Sequence, residues 1–363
     1  MIERAHLRFW LIGAAAAIVF LVLLGGVIMP FVAGMAVAYL LDPLVDQLAR
    51  RRVPRTIGAL VVLFAFTVMA IGLLLLLVPL LQSQIVEFGR RLPGYIERGR
   101  QAIGPLWDYF VHNLSDEDLK RLPELAGSHA GQVLQLVLGF VVGLVSGGIA
   151  VANVLSLLLI TPLVAFYLLR DWPKLVATVD AWLPRDHAGT IREQLRLIDQ
   201  SLAGFVRGQS LVCLVLGIFY AIGLVMTGLD FGLIIGLFSG VISFIPFIGA
   251  LFGGVLAIGL ALAQFGFGAK LAAVVLVYIV GQVLEGNVLT PKLVGDRIGL
   301  HPVWVIFALL AGGALFGFVG VLLAVPAAAV IGVVTRFALL RYLESPVYRG
   351  RNGADASGNR DGS

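Results

Sequence analysis

Four stretches of this chain run for 33 residues or more without a fixed charge: 9–41, 125–169 (where only His129 can titrate), 232–264 and 303–335. A helix crossing the bilayer hydrocarbon needs only about 20 apolar residues. Runs this long therefore hold a membrane helix with residues to spare, or break and double back inside the bilayer. In lipid the backbone must satisfy its own hydrogen bonds, which leaves helices or a closed barrel, and no strand-like alternation interrupts the runs. The fold class that follows is all-α: a polytopic integral membrane protein of about seven or eight membrane segments, broken or re-entrant helices among them. A composition of 60% hydrophobic and 13% charged residues excludes an ordinary soluble protein.

Charge placement organises the rest. Arg4 and Arg8 precede the first run, which predicts helices over about 9–28 and 30–48 that form a hairpin around Gly25, Gly26 and Pro30. The cluster Arg50, Arg51, Arg52 and Arg55 fills a short loop, and such loops stay cytoplasmic. A third span, about 56–81, completes an N-terminal region, 1–82. Segment 83–130 carries six Lys/Arg and seven Asp/Glu with breaks at Pro93-Gly94 and Gly104-Pro105, and is expected to form amphipathic helices on the extracytoplasmic side. Residues 131–345 are expected to form the transmembrane core, with a cytoplasmic amphipathic element over 170–203. The tail 346–363 is polar and expected to be disordered. Both termini are placed in the cytoplasm. Asp42 and Asp46 sit four apart near the end of the second helix; they either pair with the neighbouring arginines at the interface or take part in ion coupling.

Polar residues inside apolar helices mark the candidate site. Gln282, Glu285 and Asn287 interrupt a helix that is expected to stop at Pro291, and Gln209 stands in an earlier span. One carboxylate at the bilayer centre costs about 2.5–3.5 kcal/mol on insertion scales, so such a residue usually faces a cavity or pathway. Glu285 reads as a coupling carboxylate or as the partner of Lys292 or Arg297. The runs 232–264 and 303–335 share the string Gly-Ala-Leu-Phe-Gly, at 249–253 and 313–317, and each follows a helix bearing Gly-Gln. That pattern suggests one helix-plus-hairpin unit used twice. The turns are expected at Pro246, Gly249 and Gly253, and at Gly313, Gly317 and Pro326; close helix packing is the alternative for the glycines.

Several chemistries are missing. No Gly-Lys pair exists for a phosphate-binding loop, and neither HExxH nor GxSxG occurs. The sole cysteine, Cys213, supports neither a disulfide nor a zinc site. The net charge of +5 comes from arginines beside apolar runs, without a basic face for nucleic acid. The chain is thus read as having no catalytic residues, no metal and no cofactor; its partner is the lipid bilayer.

With these residues in view, the chain resembles the autoinducer-2 exporter-like (AI-2E) transporter family of PerM-type permeases. The matching stretches are Pro30-Phe31, Tyr39-Leu40-Leu41-Asp42-Pro43-Leu44, Phe166-Tyr167-Leu168-Leu169-Arg170-Asp171, Gly208-Gln209, Ile245-Pro246-Phe247-Ile248-Gly249, Glu285-Gly286-Asn287, Pro291-Lys292 and Leu300-His301-Pro302, with the glycines 312–320 and Pro326. Phe247 departs from the smaller or hydroxylated residue associated with that turn. The resemblance implies a bacterial inner-membrane homo-oligomer. It would use a proton or sodium gradient to export a small polar solute such as autoinducer-2, or to exchange a cation for protons. A passive pore and a non-transporting scaffold are the alternatives.

Overall fold

The computed structural model describes residues 25–113, 147–246, 248–294 and 301–349, and among these every regular element is helical. Helix α1 spans Gly25–Arg50, α2 Arg55–Asn113, α3 Gly147–Ala181 and α4 Ala188–Met226. Helix α5 (Gly232–Ile242) and helix α6 (Ile248–Phe265) follow, then α7 (Ala269–Leu284). Helix α7 passes directly into a π-helical segment, Glu285–Val294. Helix α8 covers Pro302–Glu344, and a short turn of helix, Pro346–Arg349, ends the described chain. Five of these segments are long and apolar enough to cross a membrane: Met29–Arg50, Arg55–Leu77, Ala188–Met226, Ala269–Val294 and Pro302–Glu344. The protein is an all-α, polytopic membrane protein.

Two packed bodies make up the fold. Helices α1, α2 and α3 close around Val45, Ala59, Ala165 and Leu169, all buried. The turn between α1 and α2 is pinned by Arg55, which donates to Asp46 at 2.6 Å, Asp42 at 2.8 Å and the Leu169 carbonyl at 2.8 Å. One guanidinium thereby ties all three helices together, because its planar fork carries enough donors for three acceptors. The second body gathers α4 to α7 and the π segment around Val212, Leu216, Tyr220, Leu224, Ala257 and Val274.

Both 33-residue runs double back. In the first, α5 and α6 are antiparallel arms on either side of residues 243–247: a methyl group on Gly253 would lie 2.7 Å from the Ser239 Cβ. In one straight helix those residues would be about 21 Å apart. The second run breaks at Gly317, whose φ of 59° and ψ of −140° lie outside the helical region. There a methyl group on Gly312 would come within 3.5 Å of the Ala324 Cβ, against about 18 Å in a straight helix. The two hairpins meet through Ile245 and Ile248 of the first and Leu309 and Ala324 of the second.

Other expectations are corrected. Helix α1 runs unbroken through Pro30, so no turn separates 28 from 30; residues 1–24 lie outside the described chain. Helix α2 continues through Pro93, Gly94, Gly104 and Pro105 to Asn113 where breaks were expected, and the remainder of the 83–130 segment, like Phe247, lies outside the described residues. The chain does not stop at Pro291 either, since the π segment carries it to Val294. Pro326 lies within the second arm of α8 and not at its turn. A proline removes one backbone donor and bends a helix, and packed neighbours can hold the helix on both sides of it. The repeated string is not equivalent in the two hairpins. Gly249 to Gly253 open a returning arm, whereas Gly313 to Gly317 close an outgoing one.

Candidate functional site

A thread of polar groups crosses the second body. Glu285 opens the π segment, where the backbone widens by one residue per turn; such segments are frequent at functional sites. Its Oε2 accepts from Gln282 Nε2 at 3.0 Å, and the same amide reaches the Tyr220 hydroxyl at 3.3 Å. The Tyr220 ring stacks on Tyr278 with centroids 4.7 Å apart and planes at 19°. The Tyr278 hydroxyl lies 2.9 Å from Ser239 Oγ in α5. One turn later Ser243 donates to the Ser239 carbonyl at 2.8 Å, and Gln209 Nε2 donates to the Ser243 carbonyl at 2.6 Å. Carboxylate, amide, stacked phenols, two serines and a second amide thus link the π segment to the tip of the first hairpin.

Glycines permit this approach. Gly208 lies against the backbone of Leu293 and Val294, where any Cβ would collide with the Leu293 carbonyl. Gly281 leaves room for the Tyr220 ring in the same way. In each Gly-Gln pair the glycine admits a neighbouring element and the glutamine hydrogen-bonds to another segment, Gln209 to the Ser243 carbonyl and Gln282 to the Tyr220 hydroxyl. Gly249 packs on Ser243 and Gly253 on Ser239, which keeps the hairpin arms in contact beside the thread.

Of the residues singled out from the sequence, Glu285, Gln282 and Gln209 are brought into this one network, with Pro246 at the hairpin tip beside it. Asn287 and Pro291 lie on the exposed side of the π segment. Gly313 and Gly317 belong to the second hairpin, against which the first one's tip packs. Among the described residues no Lys or Arg lies within ion-pairing distance of Glu285; Lys292 is exposed, and Arg297 lies outside the described residues. Asp42 is remote from this site. It pairs with Arg55 at 2.8 Å and faces Arg207 at 3.7 Å. Asp42 also borders a separate cavity of about 670 Å³ between α1, α3 and α4. Tyr220, Tyr278, Ser239 and Ser243 were not singled out from the sequence. The available signal was spacing: Ser239 and Ser243, and likewise Tyr278 and Gln282, are one helical turn apart.

Comparison with known proteins gives a consistent picture. Residues 8–339 match the family described as AI-2E family transporter. The chain is 34% identical over 311 residues to the Bacillus subtilis protein named "Putative transport protein YrrI", covering 85% of each chain. It is 27% identical over 316 residues to "Putative permease PerM" of Escherichia coli K12, covering 85% of this chain and 86% of the relative. It also matches the Synechocystis protein "Putative transport protein sll0063", at 30% identity over 305 residues, 81% of this chain and 73% of the other. The helical hairpins, the polar thread and a match over nearly the whole length agree: the chain belongs to the AI-2E family of transporters.

Proposed function

We propose that this protein is a secondary transporter that uses an ion gradient to export a small polar solute such as autoinducer-2, or to exchange a cation for protons. Glu285 is the coupling group in this reading. The observation that carries it is the polar thread: Glu285 is held by a neutral amide at 3.0 Å, with no fixed cation at ion-pairing distance among the described residues. A carboxylate so placed among apolar helices needs a proton or a cation to compensate it, and alternation between the two is what coupling requires. The hairpin tip supports the same reading, since a broken helix presents freed backbone groups to a cargo. Gln209 bonds one such carbonyl, that of Ser243. The arginine-rich α1–α2 turn and the positive-inside rule support placing that end in the cytoplasm. Residence in the bacterial inner membrane and assembly as a homo-oligomer are part of the same reading.

The test is flux in proteoliposomes under an imposed pH gradient, with autoinducer-2 and sodium offered separately. Uphill movement is expected for one of them, and Glu285→Gln, which keeps the size and the hydrogen bond to Gln282, is expected to abolish it in folded protein. Flux that only follows the cargo gradient would indicate a passive pore. No flux of either cargo through folded protein would overturn both named cargoes and favour a scaffold.

A further inference from the structure

The cavity between α1, α3 and α4 lies at the arginine-rich end of the seam between the two bodies, away from the Glu285 thread. Its volume of about 670 Å³ is in the range of small-molecule sites. Charge on its walls is unevenly compensated. Asp42 shares Arg55, at 2.8 Å, with Asp46 and also faces Arg207 at 3.7 Å. Arg207 is further held by the Tyr39 carbonyl, to which its Nε donates at 2.7 Å. Asp199 differs from Asp42: one oxygen accepts from the Tyr39 hydroxyl at 3.1 Å, and among the described residues no Lys or Arg reaches the carboxylate. Beside it Tyr39 and Trp172 meet edge to face, 6.2 Å between centroids, and both line the cavity.

A carboxylate without a fixed counter-charge next to two aromatic rings is the arrangement that receives an organic cation, through charge and through the negative ring faces. We infer that this cavity is a binding site for a small organic monocation, an amine or quaternary ammonium, with Asp199 as counter-charge and Tyr39 and Trp172 as the wall. The site opens on the seam and does not depend on transport. Binding without flux would uphold it while the coupled-transport reading fails, and flux lost in Glu285→Gln without binding here would do the reverse.

The experiment is calorimetric titration of the full-length protein in detergent with tetramethylammonium chloride, with sodium chloride and sorbitol as comparisons. Saturable binding of tetramethylammonium alone is expected. Asp199→Asn is expected to weaken it at least tenfold, and Trp172→Leu severalfold, each in protein with an unchanged gel-filtration profile. Absence of saturable binding to the folded wild type would overturn the inference. So would unchanged affinity in Asp199→Asn, or, should that variant not fold, in Trp172→Leu.

Discussion

Single atoms decide how closely the elements of the second body approach. At Gly208 the obstacle to a side chain is the backbone of Leu293 and Val294, which has no rotamer to move aside. Gly208→Ala is therefore expected to destabilise the protein by about 1–3 kcal/mol, the usual cost of overpacking. Thermal unfolding in detergent should show it as a lowered midpoint. Gly189 has open space around it, so the same change there should leave the midpoint in place. Residues of this kind differ in how readable they are. Glu285, Gln282 and Gln209 stand out because a charge or an amide is costly in hydrocarbon. Tyr220 and Tyr278 do not, since a tyrosine is mostly apolar and suits a buried helix whether or not its hydroxyl has work to do. Only the fold brings their rings together at 4.7 Å.

Among the elements, the hairpins were readable and the long helix was not. Length raised the hairpins as one of two readings, because a 33-residue helix exceeds the hydrocarbon by about 20 Å, and over 9–41 the same length went with a turn at Pro30 that the helix does not make. The second break sits on Gly317, with φ of 59°. Gly317→Ala is expected to cost about 1–3 kcal/mol, as a side chain is strained in that region of backbone space. Unfolding of purified protein would register the loss, and Gly313→Ala, at a helical position facing the Val321 methyl at 3.1 Å, should cost less. In α2, Pro93 suggested an interruption, but the structure stays helical through it. Nearby, Phe88 and Tyr95 pack on Phe231 at 5.3 and 6.5 Å. Tertiary contact of that kind has no local signature. Between α3 and α4, Asp180 accepts two hydrogen bonds from Arg192, which hold its carboxyl below the ordinary range. A lowered value in the folded state means the contribution is present above the ordinary carboxylate value. It is lost as pH falls through the lowered one, so it disappears below about pH 4. Melting temperature measured against pH should fall there in the wild type and fall less in Asp180→Asn.

In the whole molecule, the two bodies are tied at both ends of their seam. At one end the ties are the Tyr39 hydroxyl on Asp199 and Arg207 on the Tyr39 carbonyl and on Asp42. At the other, Asp230 accepts from Arg91 at 3.0 Å and from Tyr95 at 2.6 Å. Burial and then the Asp230 carboxylate raise the Tyr95 hydroxyl above its ordinary value, so it remains a donor. The Asp230 amide in turn donates to Gln264, which fixes the root of the first hairpin. Asp230→Ala is expected to cost about 2 kcal/mol, the worth of a charged hydrogen bond, and to speed amide exchange around 228–235 while leaving 165–171 unchanged. Hydrogen-exchange mass spectrometry would resolve the two regions. Helix α2 belongs to both bodies: Arg55 roots it in the first, and Arg91, about 54 Å further along, clasps the second. A rod fastened in this way works like a door post. Such a post sets the spacing of the two bodies, and the latch at the far edge, beside the cavity, is Tyr39 together with the Arg207–Asp42 pair.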